Sequence, residues 1–114
     1  MLSSPLAQLP GVVRTYLGAH TRHDAPAAAA CFAPDAVVVD DGTSHRGRAG
    51  IGDWLDRSSA EYTCTTTPLG AERRGDRTWH VTQRIEGNFP GVANLCFVFT
   101  VGNGHITSLV ISPV

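Results

Sequence analysis

Residues 31–55 read CFAPDAVVVDDGTSHRGRAGIGDWL, and this stretch decides the fold. A short β-branched run ends in two adjacent carboxylates, Asp40 and Asp41, just before a helical segment. A carboxylate at the end of an apolar strand loses hydration unless another group pairs with it or uses it. Asp40 is therefore a candidate general base, and the alternative for both acids is a solvated loop.

The residues before this stretch predict two helices. Apolar residues near the N-terminus recur every three or four positions, which places Tyr16 and His20 on one helix face. Asp24 is positioned to cap a second helix, which the alanine-rich segment carries to Phe32. We expect a helical hairpin that ends before a short strand at residues 36–40.

The residues after the stretch predict one more helix and then a sheet. Helical spacing over residues 48–60 indicates a third helix, which the loop DGTSHRG joins to the strand. Runs rich in threonine and valine then alternate with turn clusters, which is typical of an antiparallel meander. Its four strands are predicted at residues 62–72, 78–86, 93–101 and 105–112.

Alternation along these strands predicts which side chains face inward. Together with the third helix, it gives the lining of the interior as Trp54, Trp79, Val81, Gln83, Leu95, Phe97 and Leu109. Gln83, Tyr16, His20 and Asp40 are polar groups aimed at one small interior, which favours a ligand cavity over a solid core. The outer faces of the last two strands are also apolar, so we expect a second copy of the chain to cover them.

Composition narrows the possible functions. A length of 114 residues with 42% hydrophobic content predicts one domain over residues 1–114. The net charge of −1, without runs of like charge, argues against nucleic acid or a membrane surface as a partner. The N-terminus lacks a signal-peptide pattern, so a cytoplasmic location is expected. Lysine is absent from the sequence, which excludes Schiff-base chemistry through a lysine amine.

The spacing of metal-ligand residues does not favour a metal site. The three cysteines lie outside any C-x-x-C pattern, and His20 and His23 are far in sequence from the other histidines. We expect neither a metal nor an organic cofactor. His80 and Cys96 have outward parity in their strands, where Cys96 would lack a base, and His45 is expected to be solvated in a loop.

Two motifs resemble the NTF2-like superfamily, in particular its SnoaL-like small bacterial members. They are A-P-D-A-V-V-x-D at residues 33–40 and R-G-R-A-x-I at residues 46–51, and the likeness extends from about Leu9 to Pro113. The resemblance implies an α+β cone in which three N-terminal helices pack in a strongly curved mixed or antiparallel sheet, usually as a homodimer. The superfamily contains isomerases, cyclases, dehydratases, epoxide hydrolases and binding modules, so the fold alone does not give the reaction.

Within that superfamily the chain resembles ketosteroid isomerase at two of three functional positions. By this resemblance Tyr16 matches the oxyanion tyrosine and Asp40 matches the catalytic base. The third position, a protonated Asp, has no match, because the likeness on that strand extends only to Leu95. Steroid isomerisation is therefore not expected. His20, one turn after Tyr16, replaces an apolar residue of that enzyme and is expected to supply polarity.

Two functional hypotheses follow from the sequence. In the first, Asp40, Tyr16 and His20 perform cofactor-free acid/base chemistry of isomerase, cyclase or dehydratase type on an apolar carbonyl compound. In the second, the domain is a non-catalytic module that binds a small molecule or a protein. The second hypothesis predicts that the three polar groups satisfy one another by hydrogen bonds, or that Arg46 or Arg48 forms an ion pair with Asp40.

Overall fold

The described part of the chain forms three helices and six strands. The computed structural model of the chain describes residues 8–61, 65–86 and 92–113. In chain order the elements are α1 Gly11–Thr21, α2 Ala25–Ala29, β1 Phe32–Asp40, β2 Thr43–Arg46, α3 Gly47–Glu61, β3 Thr65–Arg73, β4 Thr78–Glu86, β5 Val92–Gly102 and β6 His105–Pro113. Within the described ranges, no helix is both long enough and apolar enough to span a bilayer.

The second helix is shorter than the sequence predicts. The Asp24 side chain accepts a hydrogen bond of 3.2 Å from the backbone N–H of Ala27, so the predicted N-cap is confirmed. The helix nevertheless ends at Ala29, because Phe32 is already part of β1 and pairs with Ile106 of β6. The predicted continuation to Phe32 is therefore wrong, since long-range strand pairing overrides local helix preference.

The predicted loop after Asp40 is in fact the second strand of a hairpin. Asp41 and Gly42 have φ angles of 50° and 79°, which a two-residue type I′ turn requires at both central positions. β2 then pairs antiparallel with β1. Two helices thus precede the sheet and the third follows this hairpin, which corrects the expectation of three N-terminal helices.

The sheet has the strand order β2-β1-β6-β5-β4-β3. All neighbouring strands are antiparallel except β1 and β6, which are parallel, so the sheet is mixed. The predicted meander is confirmed, and β4 has the predicted bounds. β3 begins at Thr65, and the predicted start at Tyr62 lies outside the described residues. Pro68 lies in this edge strand next to a register shift, a position where a missing N–H is tolerated.

The helices pack on the inner face of a curved sheet. α1 contacts both β3 and β6, although two other strands lie between them, which requires the sheet to curve around the helix. The predicted alternation is confirmed on this face, where Val81, Gln83, Phe97 and Leu109 are buried. Trp79 and Leu95 are partly buried against the same core. The largest fully buried side chains are Tyr16, Phe32, Phe99, Ile51, Ile106 and Leu109.

Candidate active site

Asp40, the last residue of β1, is half-buried and bonded to an indole. The Trp54 side chain on α3 donates its Nε1–H to Oδ2 of Asp40 at a distance of 3.0 Å. Arg48 is engaged elsewhere, donating its Nε–H to the Phe32 carbonyl at 3.1 Å, and Arg46 is exposed. Within the described ranges neither arginine forms an ion pair with Asp40, so the predicted salt bridge is not present.

Tyr16 presents a buried phenol. Its ring is fully buried and makes edge-to-face contacts with Phe32 and Phe99, with centroid distances of 5.5 and 5.6 Å. Its hydroxyl has no hydrogen-bond partner among the described residues. Burial, and after it the negative charge of Asp40, raise the pKa of Tyr16 above its ordinary value. The phenol therefore stays protonated at neutral pH and can act as a hydrogen-bond donor.

His20 lies one helical turn after Tyr16 and faces the same interior, as the spacing predicted. The two rings stack with a centroid distance of 5.7 Å and an interplanar angle of 18°, and Phe97 contacts the imidazole edge to face. Burial, and after it the charge of His23, lower the pKa of His20, which favours the neutral imidazole. Its Nδ1 is buried and has no partner in the described part of the chain.

Gln83 adds a third unsatisfied group. Its side chain is only 1% exposed, and its amide Nε2 has no hydrogen-bond partner among the described residues. Buried polar groups in folded proteins nearly always have a partner. The expectation that Tyr16, His20 and Asp40 satisfy one another is therefore wrong: Tyr16 and His20 each have a buried atom without a partner among the described residues, and Asp40 is bonded to Trp54 instead.

The strand register places these groups around one row of the sheet. Asp40 pairs with Ile111, which pairs with Phe97, so Asp40 and the ring that contacts His20 belong to the same row. Tyr16 packs on Phe99, which is in the adjacent row, whereas Gln83 belongs to the row on the opposite side of Phe97. The phenol contact and the amide therefore flank the row of Asp40.

Two features of the site were missed by sequence reasoning. Trp54 was predicted only as an apolar lining residue, yet its indole N–H is the partner of Asp40. His45 was expected in a solvated loop, but it is a half-buried residue of β2 and stacks on Trp54 with a centroid distance of 5.7 Å. Its cross-strand partner is the fully buried Val38, so His45 lies on the inner face. The Asp41-Gly42 turn signal was sufficient to find this strand.

The outer face of the sheet holds a thiol–imidazole contact. The Sγ of Cys96 lies 3.9 Å from Nδ1 of His80, so the expectation that Cys96 lacks a neighbouring base is wrong. Alternation in each strand does not reveal such diagonal neighbours. In the ranges that the structure describes, no three His, Cys, Asp or Glu side chains are grouped so that they could hold a metal ion.

The geometry and the sequence agree on the family. Residues 13–109 match the SnoaL-like domain family. The chain belongs to the SnoaL-like family. This match confirms the resemblance to SnoaL-like proteins from which the fold was predicted. A search of curated proteins found no match.

Solved structures give the same result for the SnoaL-like chain. A candidate polyketide cyclase from Sinorhizobium meliloti is 33% identical, with a TM-score of 0.87 and coverage of 94% of this chain and 98% of that one. A protein with a ketosteroid isomerase-like fold from Catenulispora acidiphila, in complex with trimethylamine, is 24% identical (TM-score 0.80; 92% and 86% covered). The epoxide hydrolase/cyclase-like enzyme SalBIII, which takes part in pyran ring formation in the polyether salinomycin, is 21% identical (TM-score 0.78; 90% and 88% covered).

Proposed function

We propose that this SnoaL-like protein is a cofactor-free acid/base catalyst that acts on an uncharged, mostly apolar carbonyl compound. Asp40 is the base, Tyr16 stabilises the oxyanion and His20 relays a proton. The observation that carries the proposal is the phenol of Tyr16, which is fully buried, has no hydrogen-bond partner among the described residues and packs on Phe99, in the inward row of the sheet next to the row of Asp40. The similarity to a candidate polyketide cyclase supports the same class of chemistry.

The proposed reaction begins with removal of a proton from the carbon next to the substrate carbonyl. The proton goes to the Asp40 carboxylate, and the electron pair of the C–H bond moves into the carbonyl to form an enolate. The Tyr16 hydroxyl donates a hydrogen bond to the enolate oxygen. Return of the proton to another carbon gives isomerisation. Attack of the enolate on a second carbonyl forms a C–C bond and an alkoxide, which takes the proton back from Asp40, and this gives cyclisation. In dehydration the β-hydroxyl leaves as water with the proton that Asp40 accepted, and the neutral imidazole of His20 relays it by taking a proton on one nitrogen and releasing one from the other.

The distribution of charge supports an uncharged substrate. The nine basic residues are all arginine, all nine lie in the described ranges, and every one is exposed. Within the described ranges no arginine forms an ion pair with Asp40, and the neutral form of His20 is favoured. A carboxylate or phosphate group on the substrate would meet the Asp40 charge without compensation. The same interior suits a neutral ketone with aromatic or aliphatic rings.

Proton exchange tests the first step without knowledge of the natural substrate. Uncharged cyclic ketones such as 2-tetralone, 1-tetralone and 2-indanone are incubated with the protein in D₂O, and loss of the α-proton signal is followed by ¹H NMR. We expect wild-type protein to accelerate exchange for at least one ketone. Asp40→Asn should return the rate to the buffer background, and Tyr16→Phe should lower it about 10²-fold or more.

Asp41→Asn is the matched control, because Asp41 is an exposed carboxylate in the adjacent turn. It should retain the wild-type exchange rate. Full exchange by Asp40→Asn, or an equal loss in Asp41→Asn, would contradict the assignment of the base. Absence of acceleration with all three ketones would count against proton abstraction and in favour of the binding alternative.

The second candidate is non-catalytic binding of a small amine. It is favoured by the trimethylamine complex of the relative from Catenulispora acidiphila and by the mixture of one carboxylate and several aromatic rings in this interior. A carboxylate beside aromatic faces attracts an alkylammonium ion. This candidate predicts saturable binding of trimethylammonium, followed by NMR, that Asp40→Asn abolishes, without any exchange of ketone protons.

We also propose that the outer sheet face forms a homodimer. Support comes from a row of cross-strand neighbours on that face, Val39, Val110 and Val98, of which Val110 is 38% exposed. A partly exposed apolar row of this kind is typical of a face that a partner covers.

A further inference from the structure

We propose that Trp54 and His45 are positioning residues for the general base: Trp54 fixes the Asp40 carboxylate through its indole N–H, and His45 holds the indole in place. The inference rests on the proposed function for its catalytic consequence. It assigns Trp54 a role different from that of a lining residue that substrate merely touches. It also gives His45 a role beside Asp40, although the sequence predicted that His45 lies in a solvated loop.

The first step of the argument is the hydrogen bond itself. A distance of 3.0 Å from Nε1 to Oδ2 is within the normal range for an N–H donor, and an ionised acceptor strengthens such a bond. It engages Oδ2 specifically. A carboxylate at a strand end can otherwise rotate about its side-chain torsions, so one directed donor selects the orientation in which Oδ1 remains for proton abstraction.

The second step is the rigidity of the donor. Trp54 is only 7% exposed, and it belongs to α3, which packs on β1. A buried indole N–H normally requires a partner, so breaking the bond to Asp40 would leave the donor unsatisfied as well. The base and its donor are therefore held by two packed elements, and each group stabilises the orientation of the other.

The third step is the position of His45. Its ring stacks on the indole with an interplanar angle of 25°. Its strand partner is Val38, which precedes Asp40 by two residues and has the same parity in β1. The β1–β2 hairpin thus carries both the base and the ring that packs on the donor, so movement of the indole away from Asp40 would also break the His45 stack.

The structural part of the inference is tested by NMR of the indole groups. The chain has two tryptophans, so the ¹H–¹⁵N spectrum contains two indole cross-peaks, and Trp54→Phe identifies the one that belongs to Trp54. Asp40→Asn should shift this peak, and Asp41→Asn should not. His45→Ala should shift or broaden it, and His45→Phe, which retains an aromatic ring, should restore it. A Trp54 peak unaffected by Asp40→Asn would overturn the proposal.

The catalytic part is tested by separating kcat from KM in the ketone exchange assay. Trp54→Phe should lower kcat about tenfold with KM changed less than twofold, which corresponds to loss of one hydrogen bond to a charged group. His45→Ala should lower kcat by a smaller factor, and His45→Phe should recover most of it. A rise in KM with unchanged kcat in Trp54→Phe would overturn the inference, because a lining residue acts in that way.

Two controls separate the possible failures. If Trp54→Phe fails to fold, benzothienylalanine at position 54 in a Trp79→Phe background keeps the indole shape and replaces only the N–H with sulfur. Relative to Trp79→Phe alone, it should give the same kcat loss, and an unchanged kcat relative to that background would overturn the inference. If wild-type protein shows no exchange but the Trp54 peak responds to Asp40→Asn and His45→Ala, the proposed reaction is wrong. The structural part of the inference, in which His45 holds Trp54 and Trp54 fixes Asp40, is then still supported.

Discussion

Replacement of Tyr16 by phenylalanine should make the protein more stable and less active. The substitution removes the hydroxyl and keeps the ring, so the edge-to-face contacts with Phe32 and Phe99 are retained. The hydroxyl is buried and has no partner within the described residues. Groups that are retained for function commonly carry such a cost in stability.

The size of the effect follows from the cost of an unsatisfied buried group. Leaving a buried hydroxyl without a hydrogen bond costs about 1–3 kcal/mol, and we take the lower end because an ordered water can offset part of it. Tyr16→Phe should therefore raise the free energy of unfolding by about 1 kcal/mol. With an unfolding entropy of about 2.1 cal/mol/K per residue, a chain of 114 residues should gain about 4 °C in Tm.

The pH dependence supplies an independent check. The pKa of Tyr16 is raised above its ordinary value in the folded protein, so at pH values just above 10 the unfolded chain releases this proton and the folded protein retains it. Wild-type protein therefore loses stability as the pH rises above about 10, whereas Tyr16→Phe lacks this contribution. The stability advantage of the variant should grow over that range.

Thermal and urea unfolding, followed by circular dichroism at pH 7 and at pH 10.5, measure both effects. Phe99→Leu is the packing control, because it shrinks a neighbouring buried ring without removing a polar group, and it should destabilise the protein by about 1–2 kcal/mol. A Tyr16→Phe protein that is less stable than wild type at pH 7 would refute the reasoning, since the hydroxyl would then be making a favourable bond.

Three further predictions concern other parts of the molecule. The pKa of His20 is lowered in the folded protein, so wild-type stability should fall as the pH drops below about 6.5. His20→Asn should therefore show a smaller fall in Tm between pH 7 and pH 5. An equal fall in both proteins would contradict a neutral imidazole in the folded state. Asp24→Ala should lower the free energy of unfolding in urea by about 1 kcal/mol, because the α2 cap is lost. Asp24→Asn should retain most of the stability that the cap contributes. Val110→Glu should convert a dimer into a monomer in sedimentation analysis. Leu69→Glu, at the other large apolar residue that is exposed in the described ranges, should not, and a persistent Val110→Glu dimer would exclude this face as the interface.

Those parts of the fold that local periodicity determines were predictable from the sequence. The 3.6-residue period placed Tyr16 and His20 on one face, and the two rings do stack. The two-residue period of β4 placed Val81 and Gln83 inward, and both are buried. A side chain that breaks the apolar pattern of an inward face, as Gln83 does, is informative because burial without a partner is rare.

The features that the sequence did not predict depend mostly on contacts between segments that are distant in sequence. Phe32 looked like the end of an alanine-rich helix, and only its pairing with Ile106 makes it the start of a strand. The hydrogen bond between Trp54 and Asp40 links residues that lie 14 apart, one on a helix and one on a strand. Periodicity within either element cannot predict such a bond. The short β2 was missed for a different reason, because the Asp41-Gly42 signal was present and was not used.

The same turn explains why Asp40, and not Asp41, faces the interior. Side chains alternate along a strand, so a slip of one residue in the pairing of β1 with β6 would turn Asp40 outward and bring Val39 inward. Asp41 has a φ of 50° in the two-residue turn, which fixes where β1 ends and where β2 begins. Asp41 thus forms the turn and Asp40 faces the interior. A change that shifts this turn should abolish the Trp54 contact while leaving both carboxylates in the sequence.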